Sequence, residues 1–182
     1  MIINRPLKIV LAIVLLVFLL YSFLLSNFNP MYNNLEFKSL SNSIKSSNDK
    51  KLDSIVYIYN KIHKSVKENR CPCKNAVAFI HSRRHGFSIS KSIYSMKIHK
   101  EYSEDDCLKF LFLNEDFVNG NIGIKAASQF YFSKSFDKLN EDEKITFIVM
   151  LKNPSLYNPV RRKEKVKNKV QLYKQIFHKN VR

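Results

Sequence analysis

The side chains able to do chemistry crowd into the middle of the chain, from Cys71 to Glu115. His81 stands beside Arg83 and Arg84, and an unperturbed imidazole titrates near neutrality, which makes His81 a candidate general base. Glu101 and Glu115 are the nearest spare carboxylates. Arg83, Arg84, Lys91 and Lys97 are cations that could stabilise charge developing on a leaving group. Cys71, Cys73 and Cys107 are too few for a zinc site unless a histidine joins them, and their spacing fits no zinc-ligand pattern. In an oxidising compartment Cys107 could bridge to one of the other two and leave one thiol free; three unpaired cysteines are the alternative.

The elements that must position these groups show in the apolar spacing. Over residues 51–67, Leu52, Ile55, Val56, Tyr59, Ile62 and Val66 recur at helical intervals with lysines on the other face. Ala126, Ala127, Phe130 and Tyr131 predict a second buried helix. Ile145, Phe147, Ile148, Met150 and Leu151 predict a third, over residues 142–151, ended by Pro154 and Pro159. The basic tail, with Val166, Val170, Tyr173 and Ile176 or Phe177 on one side, predicts a terminal amphipathic helix. No strand pattern and no internal repeat is visible. Two of the chain's three glycines, Gly120 and Gly123, lie three residues apart, which points to a backbone need there: positive φ or close approach of a neighbour.

Ahead of these elements, residues 9–25 carry no charge. At about 1.5 Å per residue they are just long enough to cross a hydrocarbon core of about 30 Å. Arg5 and Lys8 put the start of the span in the cytoplasm and the bulk of the chain on the outer side. A cleaved signal peptide is the competing reading, opposed by the absence of a small-x-small cleavage site. Residues 26–49, rich in Ser and Asn, read as a loosely packed polar linker, although Leu35, Phe37 and Leu40 could still dock on the domain or the membrane. The expected organisation is a cytoplasmic tip over 1–8, an anchor over 9–25, a linker over 26–49 and one domain over 50–182. The net charge of +16 implies anionic partners. The anchor argues against nucleic acid and for anionic lipid, pyrophosphate or acidic wall polymer.

The block from 111 to 159 resembles the biosynthetic peptidoglycan glycosyltransferases, which polymerise lipid II and also form the first domain of bifunctional penicillin-binding proteins. Their pattern LxxYLN, FGxGxxGIxxAAxxYFGK, LxxxE, PxxYNP is met by Leu113, Asn114, Phe117, Gly120, Gly123, Ile124, Ala126, Ala127, Tyr131, Phe132, Lys134, Leu139, Glu143, Pro154, Tyr157, Asn158 and Pro159. Val118 replaces the first glycine, and one residue is missing near Glu115-Asp116. Residues 86–93 resemble the donor-site motif GSTITQQL through Ser88, Ile89 and Ser90, with Lys91 and Ser92 in place of both glutamines. A rival register sets residues 78–86 against EDxxFxxHxG and puts His81 where the relatives have their first catalytic glutamate. Residues 97–103 resemble the end of the helix carrying the second, whose RKxxE part has no counterpart here.

The resemblance implies a mainly α, lysozyme-like helical domain behind a single N-terminal transmembrane helix, in the bacterial inner membrane with its bulk on the periplasmic or outer side. It implies action on lipid II in cell-wall glycan synthesis, with His81 and Glu101 as catalytic candidates. Substrate contacts would come from Arg83, Arg84, Ser88, Ser90, Lys91, Lys97 and Asn114, and a divalent cation could serve as cofactor. Lipid II or glycan strands, the membrane and cell-wall synthesis proteins are the implied partners. The alternative is a non-catalytic protein of the same fold that binds lipid II, glycan or a synthase. A lysozyme-like hydrolase is a weaker third reading, because no well-placed pair of acids is visible.

Overall fold

The computed structural model describes residues 5–66, 71–80 and 89–179. Among them the protein is mainly α, and the only strand-like pairing is an isolated antiparallel bridge between Asp116 and Ile122. The helices are α1 (Arg5–Leu24), α2 (Leu35–Ser46), α3 (Asp53–Val66), α4 (Pro72–Ala78), α5 (Ile89–Glu101), α6 (Glu104–Asn114), α7 (Gly123–Phe132), α8 (Glu141–Lys152) and α9 (Lys163–Lys179). Short 3₁₀ turns at Pro30–Asn33, Lys50–Leu52 and Phe136–Lys138 join some of them.

Two apolar clusters organise the body. The larger is built from α3, α6, α7, α8 and α9 and includes Leu52, Ile55, Ile62, Leu108, Phe112, Phe117, Phe147 and Tyr173. The α3 and α9 stripes read from the sequence are its outer walls: Val166, Val170, Tyr173 and Phe177 of α9 are buried, and α9 packs on α8 and α3. The inward face of α7 differs from the expectation. Ile124, Ala127 and Ser128 are buried, whereas Ala126 and Phe130 are exposed. The i, i+3, i+4, i+7 stripe runs from Ile124 to Tyr131, one step out of phase with the small-residue pair.

The glycine-bearing turn before α7 has a demonstrable backbone reason. Val118, Asn119, Gly120 and Gly123 all have positive φ. A Cβ on Gly123 would lie 2.4 Å from the carbonyl oxygen of Leu113, while one on Gly120 would meet nothing. Gly123 therefore permits the close approach of α6 and α7. The motif residues that follow tie the turn to the far loop. Tyr131 Oη donates to the Phe117 carbonyl at 2.6 Å. Asn158 Nδ2 donates to Tyr131 Oη at 3.3 Å, and Asn158 Oδ1 accepts from the amides of Val160 and Arg161. Glu143 closes a capping box with Asn140 at the start of α8 and pairs with Lys134 at 2.6 Å.

The smaller cluster packs α2 against α4, α5 and α6 and includes Phe37, Leu40, Ile44, Ala76, Val77, Tyr94, Ile98 and Phe110. Here the expected linker over 26–49 is corrected. Asn34 caps α2 by accepting from the Glu36 amide, and Phe37, Leu40 and Ile44 repeat at helical spacing to form a buried stripe that the Ser/Asn-rich composition conceals. Phe37 and Leu40 do dock on the domain, while Leu35 stays exposed. A Cys73–Cys107 disulfide joins α4 to α6 and leaves Cys71 free.

Candidate functional site

Two places gather candidate residues. The first lies where α1 meets the domain. Residues Pro6–Leu24 form a helix long and apolar enough to cross a membrane. Its terminal carbonyls, which no helical amide can satisfy, are taken up by side chains of the body. Asn29 Nδ2 and Tyr32 Oη donate to Leu24 O. Lys97 is only 4% exposed, and its ammonium donates to Leu25 O at 3.0 Å and to Asn27 Oδ1 at 2.6 Å. It also lies 5.1 Å from the centre of the Tyr32 ring. A cation at a helix C-terminus is electrostatically favourable. Glu101, one turn along α5, completes this arrangement as the partner of Lys97 at 2.8 Å. A cavity of about 350 Å³ adjoins it, lined in part by Lys38, Ser41, Asn42 and both members of the pair.

The structure thus brings Lys97 and Glu101 together, but as an ion pair that secures the end of the apolar helix. Burial and the nearby Glu101 charge push the Tyr32 phenol above its ordinary value of 10.0.

The second place is a groove flanking Phe79, at the C-terminal end of α4. Phe79 packs edge-on against Phe110, with centroids 5.2 Å apart, and lines two cavities. One, of about 360 Å³, is bounded by Glu36, Ser39, Leu40, Ile80 and Asn114 among others. The other, of about 440 Å³, is bounded by Asn75, Ala78, Leu111, Glu115, Leu151 and Lys152 as well as Phe79. Neighbouring residues at the end of α6 therefore face different cavities. Asn114 is part-buried and donates to Phe110 O at 2.8 Å, which fixes its amide toward the helix and leaves the carbonyl oxygen for the cavity. Glu115 caps α6, and burial, with a smaller push from Asp116, raises its carboxyl above the ordinary 4.5. A desolvated carboxyl of this kind is suited to hold a proton and donate it to an oxygen ligand, or to exchange it in catalysis.

His81, Arg83, Arg84 and Ser88 lie outside the described residues. Ser90 and Lys91 sit in the first turn of α5, both part-buried. In the sequence Glu115 is a spare carboxylate at no motif position. Its signal is three-dimensional, since the apolar walls that desolvate it come from α4, α6 and α8. A hard divalent cation prefers all-oxygen sites; among the described residues the ligand-type side chains that converge are Cys71, His99 and Glu104, a softer set.

Comparison with known proteins adds an independent line. A family model described as Transglycosylase matches residues 74–177, more than half of the chain. Penicillin-binding protein 4 of Bacillus subtilis (strain 168) is 31% identical over 81 residues, or 44% of this chain and 13% of that protein. Penicillin-binding protein 2a of Streptococcus pneumoniae serotype 2 is 35% identical over 75 residues, covering 41% and 10%. Penicillin-binding protein 1F of Bacillus subtilis (strain 168) is 33% identical over 78 residues, covering 42% and 11%. The matched stretch spans only about a tenth of the length of these relatives.

Proposed function

The chain belongs to the transglycosylase family, and on that premise we propose that it is a membrane-anchored protein of cell-wall glycan synthesis that binds lipid II at the outer membrane surface without polymerising it. The tie made by Lys97 carries this reading. It fastens the domain to the carbonyl of Leu25, the residue directly after the apolar helix, which would hold the body at the headgroup level where a lipid-linked sugar is presented. The same tie occupies Glu101, one of the two candidate bases. Lipid II bears a pyrophosphate, and a chain of net charge +16 would attract it along with anionic headgroups. The Cys73–Cys107 bond fits an oxidising compartment, in agreement with the orientation drawn from Arg5 and Lys8. Glycan strands or a synthase subunit are further partners of the same surface.

A second reading, turnover, is favoured by Glu115. Polymerisation needs a base to take the acceptor hydroxyl proton while the polyprenyl pyrophosphate leaves, and a carboxyl raised by burial in a cavity that Lys152 also lines is an arrangement from which such a base can be made. Labelled lipid II in vesicles containing the full chain separates the two. Saturable binding with no glycan polymer is the expected result. Polymer that disappears in Glu115→Gln establishes turnover instead, and binding no greater than to protein-free vesicles overturns both readings.

A further inference from the structure

We propose that Cys71, His99 and Glu104 form a zinc site on the α4–α5–α6 face, separate from the groove and from the Lys97 tie. Their Sγ, imidazole nitrogen and carboxylate oxygen all lie within 4.8 Å of one another. Zinc bonds of about 2.3 Å to sulfur and 2.0–2.2 Å to nitrogen or oxygen imply donor separations of roughly 3.3–3.8 Å in a tetrahedron. Rotamer-scale movement would therefore close the site.

The three ligands are held by elements with little freedom. Cys71 precedes Pro72 and adopts the extended conformation that a following proline imposes (φ −108°, ψ 104°). His99 lies in the last turn of α5, and Glu104 opens α6 directly after Ser103. That turn is fixed by a capping box in which Ser103 and Asp106 bond reciprocally. The disulfide then clamps Cys73, two residues from one ligand, to Cys107, three residues from another. Such a frame lowers the ordering cost of binding.

The donor set selects the ion. Thiolate and imidazole suit a borderline-soft cation, whereas magnesium and calcium take oxygen ligands. On binding, the Cys71 thiol gives its proton to solvent and a Zn–S bond forms, with no change of oxidation state. Three protein ligands leave the fourth position to water.

Because Cys73 and Cys107 are bonded to each other, Cys71 is the one thiol open to alkylation. The test is iodoacetamide labelling of the full chain in detergent with and without zinc, alongside cobalt titration of wild type and the variants Cys71→Ser, His99→Gln and Glu104→Gln. Zinc should slow labelling of wild type by about tenfold or more, and cobalt should give a thiolate charge-transfer band that Cys71→Ser abolishes. His99→Gln should weaken binding by about tenfold or more, and Glu104→Gln less. His99→Gln and Glu104→Gln alter exposed side chains, so they keep the test open should Cys71→Ser fail to fold. Labelling unaffected by zinc, or zinc affinity equal to wild type in His99→Gln and Glu104→Gln, would overturn the site.

Discussion

The two apolar clusters are held together by different means. Under the block from 111 to 159, packing and backbone geometry suffice: aromatic side chains interlock, Gly123 admits a neighbouring carbonyl, and Tyr131, Asn158, Lys134 and Glu143 pin loops to helix ends. Between α2, α4 and α5 the apolar set is smaller and is reinforced by a disulfide and by a buried lysine bonded to the end of α1. Most motif residues of the 111–159 block lie in the first region and act there as structure. The Lys97 tie, the cavities at Phe79 and the Cys71, His99 and Glu104 cluster lie in the second region or at its border.

The two regions should respond differently to damage. The largest loss is expected from Gly123→Ala, where positive φ and the Leu113 carbonyl both oppose a Cβ; a cost of roughly 3–5 kcal/mol follows. Gly120→Ala has the same backbone sign but open space and should cost only about 1 kcal/mol, a contrast read from paired denaturant titrations. Equal costs would mean that the turn, not the close approach, is the constraint. Cys73→Ala with Cys107→Ala should cost about 3 kcal/mol, and the loss should appear first as faster amide exchange in α4 rather than in α8. Exchange rising equally in both helices would remove the distinction between the regions.

Lys97→Met should destabilise by about 1–2 kcal/mol, since Leu25 O and Asn27 lose a donor while Glu101, a third exposed, can turn to water. The sharper readout is a raised motion of α1 relative to the body, measured by spin-label distances. The smallest effect concerns Glu115. Its folded-state pKa lies above the ordinary value, so the folded protein binds that proton more tightly than the unfolded chain does. Stability from this group is thus lost as pH rises from the ordinary value of 4.5 through the raised one. Glu115→Gln removes that slope and should be relatively more stable than wild type at neutral pH, with the difference vanishing in acid. A pH dependence of opposite sign in the difference between wild type and Glu115→Gln would show a cation pairing with Glu115.

Much of the helical framework was legible in the sequence. The apolar sets of α3, α8 and α9 run to between four and six residues, enough to dominate their windows. The stripe of α2 has three, diluted by serine and asparagine, and its burial depends on Tyr94 and Ile98 some fifty residues later. The phase of α7 misled because small residues mark where helices can approach, not where they do; the close approach is made by Gly123. Lys97 was legible as a cation, but its partners Leu25 and Asn27 lie about seventy residues away. The histidine that could join a cysteine is His99, brought in by the fold rather than by spacing.

The central proposal is that the chain binds lipid II, and the groove at Phe79 is the candidate place for the lipid-linked sugar. Photoreactive lipid II, crosslinked to the full chain in vesicles and mapped by peptide mass, tests it directly. The account predicts labels within 75–80, 111–115 and 151–152 that unlabelled lipid II suppresses and that Leu111→Arg abolishes. Suppressible labelling confined to α9 or to the Lys97 cavity, with those three stretches unmodified, would contradict it.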